Sequence, residues 1–320
     1  MLLGRTWSPL VVVMSLVLAM AGAGCKDKGK GAGKAPGPGS NTPTAGSAAA
    51  TAPADARPAP AGPATPILFT VSKDGKTSHL LGTIDAGFDI TAQLPPSVWT
   101  LFDGARAVVL EWNLLEVTMP MLRRTDGKKL SDDLSPAELS ALEAAVGKDW
   151  VAQLADAKPS FVAAVLSARG LSTRNPMQPV LAARAEDKKV QIVFLESGAA
   201  QQERMDTWLD LGAVRALLAD PDLAARNGKL VDAFTRGDLV TLASLREERM
   251  PWKTAGKTGD ALAALDRATL DDRHVAWLPT LTNQLGEGGA FIAVDAMHLP
   301  GDKGLVAVLE RAGFVVTRVP

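Results

Sequence analysis

His298 stands in Ala290-Phe-Ile-Ala-Val-Asp295-Ala-Met-His298-Leu-Pro300-Gly301. A β-prone apolar run therefore delivers a carboxylate and an imidazole to its C-terminal end, and a Pro-Gly turn leads into an amphipathic segment from Gly304. In open α/β sheets that edge is where sites form. Three further apolar runs stop at an acid: Leu80–Ile84 at Asp85, Ala107–Leu110 at Glu111 and Val190–Leu195 at Glu196. Strands pointing the same way in one sheet would gather these carboxylates on one rim beside His298. Everything upstream can then be read as what completes a site around His298.

The elements that must position them can be read in order. Ile67–Ser72 and Thr77–Ile84, joined at Asp74-Gly75-Lys76, form a β-hairpin, with His79 a strand residue within it. Pro95-Pro96 opens a short helix with Val98, Trp99 and Phe102 on one face. Arg106–Trp112 is a buried strand. Ser135-Pro136-Ala137-Glu138 is a capping box ahead of Leu139, Leu142 and Val146. Helical segments follow at about 159–169 and 176–187, then the strand 190–196. From about 199 to 286 the pattern is helical, with Trp208, Trp252 and Trp277 as packing anchors. A strand at 290–295, a helix at about 302–312, Gly313 as its cap and a strand at 314–319 close the chain. Strands at both ends with helices between indicate an α/β (α+β) fold, a mixed central sheet from both chain ends with a large helical insertion. Glu196 reads as an acid at the N-terminus of the next helix, and His274 as a packing or surface residue.

The N-terminus reads as an address. Arg5, the apolar stretch Leu10–Met20 and Ala21-Gly22-Ala23-Gly24 precede Cys25, the only cysteine among 320 residues. Residues 1–25 are expected to be a lipoprotein signal, with Cys25 the lipidated residue. Residues 26–66, rich in Lys, Gly, Pro, Ala, Ser and Thr, bury too little apolar surface to fold and form a tether. The domain is 67–320. This makes the membrane a partner through the lipid anchor, and the location the bacterial cell envelope, at the outer membrane or the periplasmic face. With 34 basic against 35 acidic residues, nothing attracts a nucleic acid. One cysteine excludes a disulfide framework. No Gly-x-Ser-x-Gly elbow, P-loop or Rossmann glycine pattern occurs.

The order of short motifs resembles the TraB/PrgY/GumN family, related to the Tiki metalloproteases. The resemblance rests on Leu80-Leu-Gly82-Thr-Ile-Asp85, Leu94-Pro-Pro96, Val108-Val-Leu-Glu111, Lys158-Pro159, Leu195-Glu-Ser197 with Gln201, Arg236-Gly-Asp238, Asp272-Arg273-His274, and Val294-Asp295-Ala-Met-His298-Leu-Pro-Gly301 with Gly304-Leu305, so it spans about 67–320. It implies a site built from two Gly-x-x-His motifs, a Glu and an Arg, proposed in the family to hold a metal for hydrolysis. Carried onto this chain, Glu111, Arg273 and His298 are the catalytic residues, and Asp85, Glu111, His298 and Asp295 the metal ligands. The chain departs from the pattern at Asp85, where the first motif has His, and at Asp295, where the second has Gly. His274 stands where Asn often follows the Arg.

Two outcomes follow from these departures. A carboxylate-rich set still binds a divalent metal, with preference moved from zinc towards manganese, magnesium or calcium. Alternatively, loss of the imidazole has emptied the site, leaving a lipid-anchored binding domain for a peptide or small-molecule ligand. Asp85, ahead of Ala-Gly, is also readable as a turn residue. If Cys25 is the lipidated terminus, intact-mass measurement on membrane-extracted protein will find residues 1–24 removed and acyl chains added. The Cys25→Ser protein will carry no lipid mass, whereas an unlipidated mature native protein would contradict the assignment.

Overall fold

The computed structural model describes residues 63–113, 116–248, 253 and 258–320. The signal, Cys25, nearly all of the expected tether and Trp252 lie outside the described residues.

The expected hairpin forms. Strands β1 (Leu68–Lys73) and β2 (Lys76–Thr83) pair antiparallel. Asp74 and Gly75 turn between them with φ of 51° and 76°, the left-handed pair that a two-residue hairpin needs. Four further strands complete one sheet: β3 (Ala107–Trp112), β4 (Gln191–Glu196), β5 (Ala290–Asp295) and β6 (Val315–Arg318). The order is β4-β3-β5-β2-β1-β6. β4, β3, β5 and β2 are mutually parallel, while β1 runs against both β2 and β6. The mixed sheet drawn from both chain ends is therefore observed.

The four parallel strands all stop at the same edge, and each carries or precedes one of the acids there. Thr83 pairs with Asp295 across β2 and β5, Trp112 pairs with Glu196 across β3 and β4, and Glu111 is the next residue after the Leu110–Ala293 pair. β3 and most of β5 are buried, as expected of parallel strands covered on both faces. β4 is only half-buried because it is the edge strand.

Two apolar cores support this edge. The first joins the sheet to the helices Pro96–Asp103, Met177–Lys188, Leu223–Thr235, Asp272–Glu287 and Leu305–Arg311. The second lies among helices between and just after β3 and β4, chiefly Pro136–Val146, Pro159–Ser167 and Leu211–Ala219. Ser135 and Glu138 make the predicted capping box. Trp277 is completely buried in the first core, fulfilling its expected anchoring role.

Gly82 shows why the first motif keeps its glycine. A Cβ there would lie 2.8 Å from Ile67 Cγ2 and 2.9 Å from Leu299 Cδ1. Its own N–H donates to Ile67 O at 2.7 Å. The glycine lets β2 approach the residue that follows His298, so it sets the spacing of the rim. Gly82→Ala is expected to lower stability by about 1–3 kcal/mol through overpacking, read from denaturant unfolding. An unchanged midpoint would show that this approach has slack.

Candidate functional site

Each acid reaches the rim by a different device. Glu111 sits one residue before the end of β3 with its side chain inside. Asp85 lies two residues beyond β2, where its Oδ1 accepts from the Gln178 N–H at 3.3 Å. The Gln178 side chain ties β2 to β5, donating from Nε2 to Thr83 Oγ1 and Ala293 O, both at 3.1 Å. Asp295 ends β5 and caps the single 3₁₀ turn Ala296–His298, accepting from Met297 N–H at 2.8 Å. That turn swings His298 back over the sheet edge, and Arg246 Nη1 pins it by donating to Met297 O at 2.9 Å.

Arg273, from the helix Asp272–Glu287, is the centre. Its Nη2 donates to Glu111 Oε2 at 3.0 Å and also to Glu196 Oε1. Its Nη1 donates to His298 Nε2 at 2.9 Å. The guanidinium lies over Trp277, 4.4 Å from the ring centroid. Glu196 takes a second guanidinium from Arg204, at 2.7 Å. The other oxygen of Glu111 accepts from the Asp295 N–H. His298, Glu111 and Arg273 are 4%, 5% and 8% exposed, so these charges are held by one another rather than by solvent.

Glu196 stands just ahead of the next helix, as expected, but its carboxylate is bonded to arginines. Ser197 caps the following helix, and Glu196 turns back to bond both Arg273 and Arg204. His274 likewise is neither an exposed residue nor mere packing. It is 2% exposed, with Nε2 2.9 Å from His298 Nδ1 and Nδ1 2.9 Å from Lys303 O. His79 stays within β2, pairing with Thr70 and Phe291, away from the cluster. Asp85 is brought to the rim rather than left as a free turn residue.

The electrostatics follow from counting charges. Four acids meet two bonding arginines, and Glu111 and Glu196 use those arginines. Asp85 and Asp295 keep some accessible surface, yet their carboxyl groups lie inside. Burial, the largest cause, together with the Glu111 charge, pushes Asp295 up to about 7. Burial and then the Asp295 charge push Asp85 up to about 8. Both carboxyls are thus raised well above the ordinary carboxylate range by burial first and by neighbouring carboxylates second. His298 is held well below its ordinary range by burial first and by Arg273 second, so it is a neutral imidazole.

Whether this set fits a divalent metal depends on where its lone pairs go. Both Glu111 oxygens are engaged, one by Arg273 and one by the Asp295 N–H, and His298 Nε2 faces Arg273. A guanidinium already bonds to these donors, the role a cation would take. Among the described residues no group of three or more His, Cys, Asp or Glu is gathered as a metal would require. A metal held by Asp85, Glu111, His298 and Asp295 would have to displace Arg273 from Glu111 and His298.

The parallel rim and its Glu111–Arg273–His298 centre define an α/β domain with its candidate site at the C-terminal edge of the sheet. The model of the TraB/PrgY/gumN family matches residues 67–318, and the chain belongs to that family. No curated protein and no solved structure matches the chain.

The raised carboxyls give a stability test with a definite sign. Asp85 has its ordinary value of 3.8 when unfolded and about 8 in the fold. Its contribution is thus fully present below the unfolded value and is lost as pH rises through about 8. The Asp85→Asn protein cannot lose that proton. Its melting temperature should fall less than that of the native protein between pH 5 and pH 9, and parallel curves would contradict the burial of Asp85.

Proposed function

We propose that this TraB/gumN-family chain is an exported, lipid-anchored hydrolase acting on a peptide-like bond, and that its own side chains carry the acid–base chemistry. The observation that supports this most is the placement of Asp85 and Asp295 together at the rim, their carboxyls raised by burial, beside a guanidinium already bonded to Glu111 and Glu196. Paired acids pushed apart in pKa are suited to divide the two proton transfers of hydrolysis. Asp295, whose backbone N–H bonds Glu111, would take the proton of an attacking water. Asp85, still protonated, would give its proton to the oxygen or nitrogen of the scissile group. Arg273 would hold Glu111 and His298 in register and offset charge that develops on the substrate.

Buried charged groups of this kind seldom serve stability, because apolar replacements of similar volume often serve it as well or better. A cluster of them at the C-terminal edge of parallel strands is therefore best read as functional.

The test uses purified protein and a mixed peptide pool, with products identified by mass spectrometry. Cleavage that survives chelator and drops at least about 100-fold in Asp85→Asn and in Asp295→Asn is expected, the scale of losing one proton-transfer group. Cleavage abolished by chelator and restored by manganese or zinc would return the carboxylates to the role of metal ligands. No cleavage, but a peptide-dependent rise in melting temperature, would favour a domain that binds without turnover.

A further inference from the structure

Both ring nitrogens of His298 are held by consecutive residues of one helix. Arg273 takes Nε2 and His274 takes Nδ1, each at 2.9 Å. We propose that His274 is a positioning residue that fixes the proton of His298 on Nδ1, leaving the Nε2 lone pair turned towards Arg273 and the acids. The inference deepens the hydrolase reading but stands on geometry that does not depend on turnover.

The protons can be placed from either end of the chain of bonds. A guanidinium has only donors, so His298 Nε2 must accept. In a neutral imidazole the proton then sits on Nδ1, which donates to His274 Nε2. His274 in turn carries its proton on Nδ1, and that nitrogen faces Lys303 O at 2.9 Å. A peptide carbonyl only accepts, so the assignment made from this end agrees with the one made from Arg273.

The chain of bonds ends on a carbonyl and not on an ionisable group. It therefore orients His298 rather than carrying protons away, although His274 also borders a cavity of about 200 Å³ with Arg246, Asp271 and Lys303. Local backbone supports the arrangement. A π turn, Arg267–Asp271, runs directly into the helix that begins at Asp272. Such turns shift helical register by inserting a residue and recur at functional sites. Here two adjacent side chains, which an α-helix points about 100° apart, both end on one imidazole.

Nitrogen-15 NMR of histidine-labelled protein reads the tautomers directly. With three histidines in the chain, His79→Gln and His298→Gln assign the signals. The native protein should show both His298 and His274 neutral with the proton on Nδ1. In His274→Ala the Nδ1 proton loses its acceptor, so the His298 signals should move part of the way towards the Nε2–H form, the remainder held by Arg273 at Nε2. His274→Gln, whose Oε1 lies near the place of the lost Nε2, should restore the native pattern. If His274→Ala does not fold, the native spectrum and the Gln variant decide. A native His298 protonated on Nε2, or an Nδ1–H pattern unmoved by His274→Ala or lost in a folded His274→Gln, would overturn the proposal. Because the readout is spectroscopic, it stands even if no peptide is cleaved. Where cleavage is seen, His274→Ala should lower kcat with little change in KM.

Discussion

One buried guanidinium makes the rest of this rim tolerable. Four carboxyl groups at the ends of adjacent parallel strands would repel one another in a medium that screens poorly. Arg273 bonds two of them and the only imidazole on the rim, and stacks on Trp277, a fully buried core residue. Removing its charge would leave Glu111 buried without its ion pair, the costly half of breaking a buried salt bridge. The sheet topology, the helix Asp272–Glu287 and the 3₁₀ turn at His298 all serve to bring partners to this one side chain.

The arrangement leaves a residual imbalance, and that imbalance is where the chemistry lies. Arg273 and Arg204 are committed to Glu111 and Glu196, and among the described residues no cation bonds Asp85 or Asp295. Burial therefore favours their protonated forms and pushes them up to about 8 and about 7. A carboxylate at position 85 thus sets the kind of site. An imidazole and a metal would put positive charge at this point, whereas Asp85 puts a proton there that can be given up near neutral pH.

Much of this was legible from residue types, and the misses have physical reasons. Continuous apolar runs ending in acids located all four rim strands. The Asp-Gly turn, the capping box and the Pro-Gly turn marked boundaries through local backbone preferences. The partners of Glu196 were missed because an acid before a helix has a good local explanation, while Arg204 and Arg273 lie 8 and 77 residues away. His274 was misread because helical periodicity points adjacent residues in different directions, and sequence pattern does not register a π turn ahead of them. Gln178 carried no signal at all: its bonds to Thr83 and Ala293 cross more than 90 residues of chain.

The central claim is that Asp85 and Asp295 hold their protons into the neutral range because the site's cations are already used. Carbon-13 NMR of aspartate-labelled protein, followed against pH and assigned with single Asn variants, measures this directly. The account predicts two carboxyl signals titrating near pH 7 and pH 8, with the higher one falling when Asp295 is made neutral. Two carboxyls already ionised below pH 5 would contradict it.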